Sequence, residues 1–143
     1  MTPVGTVVIA DDDADIRALV ALSVAKAGAV VTADAATGTA ALELIRQWSP
    51  DLAILDISMP ELTGLQVCRA LRADPSTRDI RILFLSAAVH PAAVAEGADA
   101  GADAYEGKPF SPRRLSLRIR EMLQRRSVIA DAAESADGHG TEE

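Results

Sequence analysis

Short runs of β-branched and aliphatic residues alternate five times with alanine- and leucine-rich stretches of helical period. That alternation confines the chain to a parallel sheet covered by helices on both faces. Thr6 to Ala10 (TVVIA) reads as the first strand and Ala14 to Lys26 as its helix, ended at Gly28, which accepts a left-handed turn. Ala29 to Ala33 reads as the second strand. Thr37 can cap a helix to about Trp48, Ser49-Pro50 breaks it, and Leu52 to Asp56 (LAILD) forms an apolar third strand. After a loop with Met59-Pro60 and Gly64, a helix runs through Leu65, Cys68 and Leu71 and stops at Asp74-Pro75. Ile82 to Ser86 (ILFLS) is the fourth strand, Pro91 to about Ala98 an alanine-rich helix, and Ala102 to Glu106 a short fifth strand. Ser111 then caps a helix with Pro112 in its first turn and Leu115, Ile119, Met122 and Leu123 on one apolar stripe.

A chain of 143 residues with 49% hydrophobic content can bury one core of ordinary size, so a single domain over residues 1–126 is expected. Residues 127–143 carry Asp131, Glu134, Asp137, Glu142 and Glu143 without a lysine or arginine, and read as a flexible acidic tail. No apolar run approaches the roughly 20 residues of a membrane-spanning helix, so no membrane contact is expected. Cys68 stands alone, which excludes an intramolecular disulfide and fits a cytoplasmic location. The net charge of −7 argues against nucleic acid, and no direct nucleic-acid contact is expected. No helix-turn-helix follows Arg126, so transcriptional output is expected from another chain. Charge is uneven, however, because 113–126 holds six arginines against Glu121 alone.

Right-handed crossovers and a strand order of 2-1-3-4-5 make the first and third strands neighbours, and ligands bind beyond the carboxyl ends at that reversal. Asp11, Asp12 and Asp13 follow the first strand, Asp56 closes the third, Ser86 closes the fourth, and Lys108 follows the fifth. An acidic run after a strand caps the next helix as often as it does chemistry. Asp56 is harder to dismiss, because it ends a run without another polar side chain, where a lone carboxylate is costly to desolvate. Carboxylates crowded together need a cation, and Mg²⁺ prefers oxygen ligands while keeping open positions that phosphoryl oxygens can fill. A carboxylate is also a covalent phosphoryl acceptor.

The segments VVIADDDADI, LAILDISMPELTGLQVCRALR, FLSA and YEGKPF closely resemble the receiver domain of bacterial two-component response regulators, over roughly residues 5 to 126. The resemblance implies a flavodoxin-like (βα)5 fold with Asp56 as phosphoacceptor. Asp11, Asp12, Asp56 and the Ser58 backbone carbonyl would hold Mg²⁺, and Asp13 would be a bystander. Ser86 and Tyr105 would form the switch, Lys108 would pair with phosphoryl oxygens, and the bond to Pro109 would be cis. The donor would be a sensor histidine kinase or a histidine phosphotransfer protein, docking near the first helix. Ile16, Leu19, Val20, Ser23 and Ala27 are expected to face the sheet there, with Ala18, Ala21, Leu22 and Ala25 outward. The switching surface would be the fourth helix, fifth strand and fifth helix, meeting a downstream protein or a second copy in a homodimer. The family more often has bulkier apolar residues at Glu106 and Gly107, so the fourth helix is expected to pack loosely.

Two other readings remain. A magnesium-dependent phosphatase of the haloacid dehalogenase type would use Asp11 with Asp13, but carries Thr or Val where Asp15 stands. A receiver-like scaffold would never take phosphate.

Overall fold

The computed structural model describes residues 2–135, with side chains through 124. Five strands, β1 (Thr6–Ala10), β2 (Val30–Ala35), β3 (Leu52–Asp56), β4 (Arg81–Ser86) and β5 (Ala104–Gly107), form one parallel sheet in the order β2-β1-β3-β4-β5. The helices are α1 (Ala14–Lys26), α2 (Gly38–Trp48), α3 (Gly64–Ala73), α4 (Pro91–Ala100) and α5 (Pro112–Ser135). This is the parallel, doubly covered sheet that the alternation predicts and the flavodoxin-like strand order that the resemblance implies.

Successive strand side chains point to opposite faces, and each face builds its own apolar layer. Val8, Ala10, Leu55, Ile82 and Phe84 pack with Ile45 of α2 and Val67, Cys68 and Leu71 of α3. Val7, Ile9, Ile54 and Leu85 pack with Val20 and Val24 of α1 and Leu115, Ile119 and Met122 of α5. β3 lies at the centre and is buried at all five positions, which explains why its sequence shows no polar residue before Asp56.

Several boundaries differ from expectation. β2 begins at Val30 and runs to Ala35, because its register with β1 shifts between Val7 and Val8 and brings Asp34 opposite Ile9. In α1, Val20, Ser23, Val24 and Ala27 are buried, whereas Leu19 is 42% exposed and Leu22 59% exposed. Ile16, Val20, Ser23 and Ala27 thus face inward as expected, Val24 and in part Ala21 join them, and Leu19 belongs to the outer face. α4 continues to Ala100 and ends at Gly101, whose φ of 112° suits glycine. α5 does not stop at Arg126; residues 127 to 135 continue it, a stretch with three of the helix-forming Ala. The remainder of the expected flexible tail, 136–143, lies outside the described residues. Among the described residues no helix is long and apolar enough to cross a membrane.

Candidate phosphoacceptor site

The carboxyl ends of four adjacent strands meet at one rim. Ala10 pairs with Leu55, so Asp11 and Asp56 leave neighbouring strands side by side. Asp56 in turn pairs with Leu85 and Ser86 with Gly107, and the Lys108 backbone N–H donates to the Ser86 carbonyl at 2.9 Å. Register alone therefore delivers Asp11, Asp56, Ser86 and Lys108 to one place.

Asp11 and Asp56 are buried and Asp12 is exposed, yet each offers a carboxylate oxygen within 4.8 Å of the others. Lys108 Nζ donates to Asp11 Oδ2 at 2.8 Å and lies 3.5 Å from Asp56 Oδ1. Burial, and then the charge of Asp11, push the Asp56 carboxyl above its ordinary value, against the pull of Lys108 and the Ser58 N–H. Burial works against the Lys108 ammonium, but its bond to Asp11 and the charge of Asp56 outweigh that and raise it. Among these groups three carboxylates face a single ammonium, so the rim holds excess negative charge. The donors are all hard oxygens, which suits Mg²⁺.

The run of three aspartates divides. Asp13 is the N-cap of α1, accepting from the N–H groups of Asp15 and Ile16 at 2.9 and 3.3 Å. Ser58 is exposed, and its N–H donates to Asp56 Oδ1 at 3.3 Å. Ser86 is buried and its Oγ accepts from the Ala88 N–H at 3.0 Å. Tyr105 is half-buried, with Oη donating to the Ala88 carbonyl at 2.6 Å and its ring edge-on to Phe84. The Lys108–Pro109 bond is cis. Gly64 is required where it stands, because a Cβ would collide with the backbone carbonyl of Asp56.

Two groups near the rim escaped the sequence reading. Arg17 of α1 donates through Nη1 to the Asp11 backbone carbonyl at 2.7 Å. Glu106, read as a gap in apolar packing, is buried and ion-paired with Arg114 at 3.4 Å and Arg118 at 3.5 Å. Spacing of four between those arginines places both on one face of α5.

The family profile described as response regulator receiver domain matches residues 7–120. The chain is 37% identical over 119 residues to the DNA-binding response regulator MtrA of Mycobacterium tuberculosis, covering 83% of this chain and 50% of that protein. It is 37% identical over 131 residues to the DNA-binding dual master transcriptional regulator RpaA of Synechocystis, covering 92% and 54%. The chemotaxis response regulator CheY4 of Vibrio cholerae superposes with a TM-score of 0.78 at 30% identity, covering 85% of this chain and 98% of that one.

The matched profile and these relatives place a parallel sheet ending in a rim of acids and one lysine among signalling proteins. The chain belongs to the response regulator receiver domain family of two-component systems. It spans about half the length of the curated relatives it matches. Those relatives are named as DNA-binding, which overturns the expectation of no direct nucleic-acid contact. That expectation rested on a net charge averaged over 143 residues, and such an average says nothing of what a regulator twice as long does with DNA.

Proposed function

We propose that this receiver domain accepts a phosphoryl group on Asp56 from a phosphohistidine of a sensor histidine kinase or histidine phosphotransfer protein, with Mg²⁺ as cofactor. The observation that carries this reading is the buried Asp56 carboxylate crowded by Asp11 and Asp12 and facing Lys108. Asp11, Asp12, Asp56 and the Ser58 backbone carbonyl would hold the ion. When bound, Mg²⁺ neutralises charge on the phosphoryl oxygens.

An Asp56 oxygen attacks phosphorus; the new O–P bond forms as the P–N bond breaks, and the electron pair leaves on the imidazole nitrogen, which takes a proton from solvent. Lys108 turns its ammonium from the carboxylates to a phosphoryl oxygen, where charge develops. The Ser86 hydroxyl, already an acceptor for Ala88, donates its proton to another phosphoryl oxygen. That pull draws in the loop from 87 to 90, whose Ala88 carbonyl holds Tyr105, and so changes the surface of α4, β5 and α5. The same surface would meet a downstream partner or a second copy of the chain. By similarity to MtrA and RpaA the controlled output is DNA-directed; the lone Cys68 fits a cytoplasmic setting.

Incubation with acetyl phosphate and Mg²⁺ should add one phosphoryl group by mass, and Asp56→Asn should reduce that to background. Label retained by Asp56→Asn and lost from Asp11→Asn would instead support a phosphatase of the haloacid dehalogenase type. Failure of the unsubstituted protein to bind Mg²⁺ or beryllofluoride would favour a scaffold that takes no phosphate.

A further inference from the structure

Asp11 is held at four points. Its N–H donates to the Ala35 carbonyl at 3.0 Å, Oδ1 accepts from the Asp13 N–H at 2.9 Å, and Oδ2 accepts from Lys108 at 2.8 Å. The fourth is its backbone carbonyl, which takes the 2.7 Å bond from Arg17 Nη1. That carbonyl belongs to the peptide unit joining Asp11 to Asp12, and a peptide unit is planar. Fixing its oxygen therefore fixes the plane from which the exposed Asp12 departs. Arg17 has a side chain only 22% exposed, and its Nε lies 3.9 Å from Oδ2 of the 60% exposed Asp34, a long ion pair that adds a weaker restraint. That restraint exists because the register shift in β2 sets Asp34 beside Ile9 at the same rim.

We infer that Arg17 is a positioning residue for the cation site, acting through the Asp11–Asp12 peptide and restrained more weakly by Asp34; this rests on the Mg²⁺ reading above. Charge alone predicts the opposite outcome. A guanidinium beside a cation site repels the cation, so deleting it should tighten binding if Arg17 were only a neighbouring charge. Positioning predicts weaker binding, because groups that orient metal ligands are worth about 10-fold or more in affinity.

The test is calorimetric titration of the folded protein with Mg²⁺ alone, beside the acetyl phosphate labelling rate at saturating Mg²⁺. Arg17→Gln should weaken Mg²⁺ binding by about 10-fold while the rate at saturation stays within about twofold. Arg17→Lys keeps the charge and one donor, and should recover much of the affinity; Asp34→Asn should show a smaller loss. A merely structural role would lower the unfolding temperature without this split between affinity and saturated rate. Mg²⁺ binding as tight as, or tighter than, that of the unsubstituted protein in Arg17→Gln overturns the role of Arg17 and leaves the phosphoacceptor reading standing. If Arg17→Gln does not fold, unaltered affinity in both Arg17→Lys and Asp34→Asn overturns it. An unsubstituted protein that binds no Mg²⁺ overturns both.

Discussion

Two buried carboxylates, Asp56 and Glu106, sit on the same sheet at 5% and 7% exposure, and their surroundings are opposite. Asp56 has two further carboxylates and one ammonium around it. Glu106 has two guanidinium groups, from Arg114 and Arg118, and no neighbouring acid in its ion pairs. The first cluster is short of positive charge and the second is not, so only the first calls for something from outside. Burial marks both residues as exceptional, but the sign of the uncompensated charge separates a chemical site from an internal ion cluster. Glu106 also keeps an oxygen, Oε1, buried without a hydrogen bond. Its partners are not buried, Arg114 being 72% and Arg118 35% exposed, so solvent screens these pairs and they add little to stability.

The comparison breaks most visibly at Lys108. Lys108→Met removes the one ammonium of the first cluster and should slow acetyl phosphate labelling about 100-fold, measured at saturating Mg²⁺. Retention of the normal rate would show that the ion pair is structural. In the second cluster the two partners should respond unequally. Replacing Arg114 and Arg118 together by Ala leaves the buried Glu106 charge without a partner and should cost about 1 kcal/mol in urea unfolding, the pairs being screened by solvent. Glu106→Leu should cost nothing or stabilise by about 1 kcal/mol, with labelling unchanged. A larger loss from Glu106→Leu than from the double arginine variant would refute this account.

The Asp56 carboxyl titrates above its ordinary value of 3.8 in the folded chain, so ionising it opposes folding. Between that value and the raised one the folded state holds the proton and the unfolded state does not. Stability from this group therefore falls as pH rises through the window and stays low above it. Without Mg²⁺, Asp56→Asn should raise the melting temperature by a few degrees at pH 7, and the gain should fade as pH falls toward 4. Mg²⁺ should stabilise the unsubstituted protein more than the variant. Thermal unfolding across pH, with and without the ion, checks both statements. The smallest effect concerns α4, where only Gly97 and Ala100 are buried. Its amides should exchange faster than those of α3, which buries Gly64, Val67, Cys68 and Leu71.

What could be read from the sequence was what a parallel sheet makes periodic. Strand ends follow from apolar runs, and once strand order is assumed, Asp11, Asp56, Ser86 and Lys108 must converge. Glu106 could not be assigned, because its meaning lies in arginines of another element. Leu19 was misplaced because alanine-rich α1 has little amphipathic contrast to fix its rotation, and Ala18, Ala21 and Ala25 tolerate either face. The α5 continuation past Arg126 was missed because helix propensity in 127–135 carries no apolar stripe. Arg17 was missed because its target is a backbone carbonyl, which no side-chain pattern reveals.

The attachment of α4 is lopsided. Its C-terminal end is gripped by Arg72 Nε on the Gly101 carbonyl at 2.9 Å and by Cys68 Sγ on the Ala100 carbonyl at 3.3 Å. Its start is capped by the imidazole of His90, which takes the Ala93 N–H at 3.2 Å. Ten residues at ~1.5 Å each make a ~15 Å lever with its pivot at Gly101. A displacement of the 87–90 loop thus acts at the end opposite that grip, where leverage is greatest, and reaches the core through Gly97, which lies against Phe84 and Tyr105.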